Sequence, residues 1–343
     1  MPAQKSVFLR SPARQCVISR PTIESVDDLS SQLVTIHDIY RKIVSTFLAA
    51  QLSYGHTTIG AVDDAAFLVL HGLNLPVHSI EMWLPCRLTF NERRRLLNLM
   101  YKRIELRKPV AYLLGGAFQQ GEFFHVDERV LIPRSYLGDI LNASPDKDQI
   151  AVGDLKPVES IERVLDMCTG SGCLAILAAK HLPHAKIIDA VDISEGAVEV
   201  ASANIKLHNL ESLVKVMPGD LFDGLSLLGK DSRINFYDLI ICNPPYVDAE
   251  GMRMLPTEYL HEPKLALDGG QDGMDIIHKI LNLSPKYLRD NGGLLLEIGR
   301  CRRHFESYYP ELSEQIVWIN TEGMENIGEV VYLTKDQLLQ NLR

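Results

Sequence analysis

Apolar residues return every three or four positions from residue 26 to about 108, then gather from residue 161 onward into short runs separated by longer amphipathic stretches. The first pattern predicts helices. Residues 33–52, 63–73 and 89–106 each carry it, and Thr89 with Glu92 has capping-box spacing at the start of the third. Residues 118–133 alternate instead and contain Gly121, which predicts a hairpin. A polar, proline-containing stretch over 144–159 reads as a surface loop. The later runs, at 163–168, 186–193, 214–222, 237–247 and 292–299, alternate with stretches long enough for helices. That order predicts an α/β fold with a parallel sheet and right-handed crossovers. Two closing runs, 315–320 and 329–334, predict an antiparallel hairpin at the sheet edge. The resulting division is a tail over 1–25, a helical domain over 26–112, a hairpin linker over 113–143 and an α/β domain over 144–343.

Composition narrows the function. With 343 residues the chain can bury a large core without staples, and no apolar run approaches the ~18 residues of a membrane span. Six scattered cysteines show no C-x-x-C spacing, so neither a zinc knuckle nor a disulfide framework is expected and a reducing cytoplasm fits. A net charge of −9 argues against direct nucleic-acid binding and suits a basic protein partner. The opening stretch differs, because Lys5, Arg10, Arg14 and Arg20 all precede the first acid, Glu24. It reads as a disordered basic tail, with a transit peptide as the alternative.

Candidate chemistry starts at residues 164–175, where Asp166 ends an apolar run and Gly170 and Gly172 occupy the turn into a helix. Gly170, Gly172 and Ala175 satisfy the spacing of a dinucleotide fingerprint, and Asp192 lies the expected ~20 residues further on to hold a ribose. Asp166 changes the ligand. A carboxylate just before the turn repels pyrophosphate but suits the ammonium of a methionine moiety. Asp220, after the third run, is placed to accept from an adenine amino group. S-adenosyl-L-methionine satisfies all three aspartates, which share the carboxyl ends of successive predicted strands.

The fourth run leads into Asn243, Pro244, Pro245 and Tyr246. Two prolines remove backbone donors and hold the main chain extended, leaving the Pro244 carbonyl and the Asn243 side-chain oxygen as acceptors. Two acceptors aimed at one point complement a planar NH2 group, and Tyr246 offers it a flat face. An amide or adenine amino nitrogen is a poor nucleophile, so a protein that methylates it must supply position and drain charge from its hydrogens. The rigid-turn alternative assigns these four residues no chemistry.

These stretches, with 107–135 and 261–281, resemble the protein glutamine N5-methyltransferases, which modify release factors and one large-subunit ribosomal protein. The resemblance runs from about residue 30 onward. It implies an N-terminal helical substrate-recognition domain, a hairpin linker and a seven-stranded Rossmann-like S-adenosylmethionine methyltransferase domain. Release-factor enzymes usually place Pro-Glu-Thr after the Ile-Pro-Arg element, whereas Arg134 here is followed by Ser135, Tyr136 and Leu137. That departure is similar to the branch acting on ribosomal protein 3 of the large subunit. Carried onto matching positions, the resemblance makes Cys168, Thr169, Gly170, Ser171 and Gly172 the cofactor turn. It makes Asp192 the ribose ligand, Leu221 a neighbour of adenine, and Asn243 to Tyr246 the glutamine clamp. Cys168 stands where many methyltransferases have glycine, so the backbone there is expected to differ.

Three rival readings stay open on sequence: an adenine-amino nucleic-acid methyltransferase, a non-catalytic ribosome-assembly factor and a nicotinamide oxidoreductase. A release-factor enzyme is the nearest alternative within the family. Timing relative to ribosome assembly stays open, with modification before assembly one option. Residues 268–273, Asp-Gly-Gly-Gln-Asp-Gly, read as a glycine-rich turn without an assigned role.

Overall fold

The computed structural model describes residues 24–341 except 57, 77–79, 143–150, 229–235 and 320–329. The basic opening stretch, part of the polar loop and the linker of the closing hairpin therefore lie outside the described residues.

Helices Val26–Gln32, Ile36–Ala49, Ala61–Gly72 and Phe90–Leu106 build the first part of the chain. They close over one core that includes Ile39, Ile43, Phe47, Leu68, Leu96 and Met100. The single pattern over 33–52 starts later than its apolar rhythm, because Thr35 and Asp38 form a capping box that fixes the helix start at Ile36. Thr89 and Glu92 form the second box as their spacing predicts, the Thr89 backbone N–H donating to Glu92 Oε2 at 2.7 Å. Arg107, in left-handed backbone, ends the long helix.

Strands β1 (Gly116–Gln119) and β2 (Glu122–His125) form the expected antiparallel hairpin around Gly121, whose φ is +78°. Asn204 ties it to the rest. Its Oδ1 accepts from the His125 backbone at 2.8 Å, and its Nδ2 donates to the carbonyls of His125 and Ser171, each at 2.9 Å.

Seven further strands follow: β3 (Arg163–Met167), β4 (Ile187–Asp192), β5 (Val214–Pro218), β6 (Tyr237–Cys242), β7 (Leu288–Glu297), β8 (Val317–Ile319) and β9 (Val330–Thr334). Their spatial order is β5-β4-β3-β6-β7-β9-β8. The first five run parallel, and β9 pairs antiparallel with both β7 and β8. The central parallel strands β3, β4 and β6 are buried on both faces, which is why their sequences read as apolar runs rather than clean alternation, whereas β5 at the edge keeps exposed positions. Leu239 and Ile241 of β6 enter the core on one face, and Tyr237, Ile240 and Cys242 enter the other. Chain order reverses between β3 and β6, opening a crevice at the carboxyl ends of the strands. No helix among the described residues is long and apolar enough to cross a membrane.

Candidate active site

Two cavities meet at that crevice. One, about 880 Å³ with its mouth included, is lined by Cys168, Gly170, Asp192, Asp220, Leu221 and Pro245 among others. The second, about 800 Å³, is lined by Arg134, Tyr136, Pro244, Tyr246, Tyr259 and Glu297. Asn243, Leu131 and Ala266 line both, so Asn243 stands in the partition.

The first cavity is built by a turn held in uncommon backbone. After β3, Cys168 adopts φ +59° and Gly170 φ +56°, while Gly172 at +78° begins helix Cys173–His181 and packs against Ala201. Left-handed backbone is where glycine is normally used, so Cys168 keeps glycine's conformation with a side chain attached. Leu221 at φ +48° repeats this on the opposite wall. Asp192 holds the turn from β4: its Oδ2 accepts from the Gly170 N–H at 2.8 Å and its Oδ1 from Ser194 N–H at 2.9 Å.

Not every expected ligand residue reaches the cavity lining. Asp166 is fully buried, its Oδ2 accepting from the Thr169 hydroxyl at 2.5 Å and from the Ala175 N–H at 3.0 Å. Thr169, Ser171 and Gly172 likewise build the turn from behind. Cys168, Gly170, Asp192, Asp220, Leu221, Asn243 and Pro245 come together on the lining.

Charge decides what fits. Asp166 Oδ1 is buried without a hydrogen-bond partner among the described residues. Burial pushes the Asp166 carboxyl up to about 7, and the nearby Asp192 carboxylate adds to the rise. Burial also raises Asp192, against its backbone hydrogen bonds. Asp166 is buried and Asp192 half-buried, neither carries an ion pair among the described residues, and Arg129 on the same lining is engaged by Asp127 and Glu199. The two carboxylates therefore favour a ligand bearing positive charge, as the ammonium and sulfonium of S-adenosylmethionine do. A pyrophosphate would meet repulsion.

Asn243 and Pro244 line the second cavity, and neither the Asn243 side chain nor the Pro244 carbonyl is hydrogen-bonded within the described residues. The Tyr246 phenol donates to Glu297 Oε1 at 3.0 Å, and its ring lies where any Cβ on Gly299 would overlap it. Arg134 forks onto Glu262 at 2.5 and 2.8 Å and lies over the Tyr259 ring.

The glycine-rich turn 268–273 supports this loop directly. Val247 N–H donates to the Leu267 carbonyl at 2.8 Å, and Gly269 N–H to the Val247 carbonyl at 2.9 Å. A Cβ on Gly269 would come within 2.8 Å of Tyr246 Cα, and one on Gly273 would overlap the Tyr246 carbonyl. The Cys301 thiol donates to that same carbonyl at 2.9 Å. Sequence reasoning missed Glu297 and Gly299 and gave Ser135 no place in the site, since all three lie far from the clamp along the chain. The available signals were that residues 292–299 end a strand at the same sheet edge and that Ser135 opens the departure after the Ile-Pro-Arg element.

This fold and site define a Rossmann-like methyltransferase that uses S-adenosylmethionine, and the family model described as "Methyltransferase small domain" matches residues 152–271. The chain is 47% identical over 307 residues to a ribosomal protein uL3 glutamine methyltransferase of Bradyrhizobium diazoefficiens, an alignment covering 90% of this chain and 92% of that protein. It is 44% identical over 307 residues to the protein of the same name in Bordetella pertussis, covering 90% and 97%. The chain belongs to the family of ribosomal protein uL3 glutamine methyltransferases.

Proposed function

We propose that the chain methylates the side-chain amide nitrogen of a glutamine in ribosomal protein uL3 of the large subunit, in the cytoplasm and before that protein is assembled. The observation that carries this reading is that Asn243 stands in the partition between the two cavities with Pro244 beside it on the wall of the second, neither the Asn243 amide nor the Pro244 carbonyl being hydrogen-bonded among the described residues.

When bound, S-adenosylmethionine supplies an electrophilic methyl group. Asp192 and Asp220, at the ends of β4 and β5, would hold the adenosine together with Leu221 and Cys168, and the buried charge of Asp166 would favour the ammonium. Gly170, with Thr169, Ser171 and Gly172 behind it, shapes the backbone the cofactor rests on. Asn243 and Pro244 accept the two amide hydrogens, so the nitrogen faces the cofactor cavity through the partition. As the amide nitrogen takes up the methyl group, positive charge would grow on it, and the two acceptors would stabilise that charge until a proton leaves to water. Pro245 keeps the turn rigid and Tyr246 fixes the plane of the amide.

The test is transfer of labelled methyl from S-adenosylmethionine to isolated uL3, release factors and DNA. Label is expected on a uL3 glutamine, with Asn243→Ala lowering kcat by about 10²- to 10³-fold. Labelled DNA, or unchanged transfer by the variant, would overturn the assignment.

A further inference from the structure

We infer that Glu297 is the positioning residue of the clamp, setting the Tyr246 ring through its phenol; the inference rests on the function proposed above. Glu297 ends β7, two strands away from the turn that makes the cofactor cavity, and it is buried while lining the substrate cavity. Its two oxygens face different parts of the site. Oε1 accepts from the Tyr246 phenol at 3.0 Å. Oε2 accepts from the Ser135 hydroxyl at 2.6 Å and from the Tyr136 backbone N–H at 3.1 Å, on the segment that follows the hairpin.

A tyrosine side chain has two torsions, and this arrangement fixes both. Gly299, at φ +47°, leaves room for the ring to pack directly against its backbone, which limits tilt. The carboxylate holds the far end of the ring by a charge-assisted hydrogen bond, which limits swing. Ser135 and Tyr136 then hold the carboxylate, so the ring is referred to two separate strands and the hairpin segment. The phenol proton is also committed to Glu297 and does not compete with the amide for Asn243 or Pro244. The ring face, rather than the hydroxyl, is what meets the amide. The segment after Ile132-Pro133-Arg134 thereby acquires a definite role, since Ser135 and Tyr136 lock the residue that locks the clamp.

Three variants and a double variant test this. Glu297→Ala leaves the phenol, a hydroxyl and an N–H without their acceptor, and should lower kcat about 100-fold with KM for uL3 within about 3-fold. Glu297→Gln can keep its oxygen on Ser135 and Tyr136 and turn its NH2 to the phenol oxygen, so it should retain the ring position and recover activity to within about 5-fold of wild type. Tyr246→Phe should lose about as much as Glu297→Ala. In the Tyr246→Phe background, Glu297→Ala should then add less than about 3-fold, because both act through one contact. Unchanged affinity for S-adenosylhomocysteine in every variant serves as the check on folding. Additive losses in the double variant, or wild-type kcat in Glu297→Ala, would overturn the inference. Crystals of wild type and Glu297→Ala give a readout free of turnover: the ring should leave Gly299 in the variant, and a ring that stays in place sinks the idea. If wild-type protein left uL3 unmethylated, the functional reading would fail while the ring position still tested the role of Glu297.

Discussion

Asp166 looks from sequence like a ligand residue and is, in the structure, a buried carboxylate that braces the turn and has one oxygen without a hydrogen-bond partner among the described residues. Its carboxyl sits near pH 7, against an ordinary value of 3.8, chiefly because of burial. The sign of the linkage follows. Between about pH 4 and 7 the folded state holds a proton that the unfolded state has released, so this group's contribution to stability is present at low pH and drains away as pH rises. Without ligand, stability should fall by up to roughly 1.4 kcal/mol per pH unit across that window from this group alone, and Asp166→Asn should flatten the slope. A bound ammonium favours the ionised carboxylate, so affinity for S-adenosylhomocysteine should rise from pH 5.5 to 7.5 in wild type and stay level in Asp166→Asn. Urea midpoints and calorimetry over that range measure both, and a level wild-type affinity would remove Asp166 from the neighbourhood of the ammonium. The sequence identified Asp166 as chemically relevant but not its direction, because a strand-end residue gives no sign of which groups it turns toward. Cys168 and Leu221 were hidden differently: neither residue type advertises the left-handed backbone it adopts.

Elements were legible where one physical signal dominates. Buried parallel strands declare themselves as apolar runs, and the capping box at Thr89 and Glu92 marks a helix start by spacing alone. The box at Thr35 and Asp38 was masked by an apolar rhythm that continues through it. Strand pairing was partly legible: the closing runs do pair with each other, yet β9 also takes the place beside β7 that makes β8 the edge. The turn 268–273 shows why a role can stay invisible. Its glycines serve a loop more than twenty residues earlier, and only close backbone approach explains them. Gly273→Ala places a methyl against the Tyr246 carbonyl at φ +81°, so kcat should fall about 10- to 100-fold while cofactor affinity holds within about 3-fold. Gly121 is the control. Its φ is +78° but a Cβ there meets nothing within 4 Å. Gly121→Ala should therefore cost about 1–2 kcal/mol of backbone strain with kcat unchanged. Equal kinetic loss in both variants would show that positive φ alone, rather than contact with the clamp, is responsible.

At the scale of the molecule, the helices of the first part and the sheet of the second are joined by charges that are taken out of water. Glu258, on the 3₁₀ turn Thr257–His261 between the clamp and the glycine-rich turn, is fully buried. Its Oε1 accepts from Ser53 N–H at 2.9 Å and pairs with Arg107 at 2.8 Å and Arg103 at 3.5 Å. Arg103 is itself buried and reaches Asp64 at 3.0 Å and the Ser53 carbonyl at 2.9 Å. Four residues further along, Glu262 engages Arg134 and the Ile132 N–H, while His56 packs on the Tyr259 ring. Burial, helped by the charge of Arg134, pushes His56 down to about 3, so it is neutral at working pH. One short segment thus carries two acids, one plugged into the helical part and one into the wall of the second cavity. Net composition could not reveal this, because a charge count does not distinguish a solvated acid from one that bridges two cores. Removing Glu258 leaves the Ser53 N–H without its acceptor and takes away one of the two carboxylates beside Arg103, which keeps Asp64; a buried hydrogen-bonding group left without its partner costs about 1–3 kcal/mol. The loss should fall on the junction. Glu258→Ala is expected to turn a single calorimetric unfolding transition into two, with the helical part melting first, and to raise KM for uL3 more than it lowers affinity for S-adenosylhomocysteine. A variant that still unfolds in one step at the wild-type midpoint would show that apolar packing, not this buried carboxylate, couples the two parts.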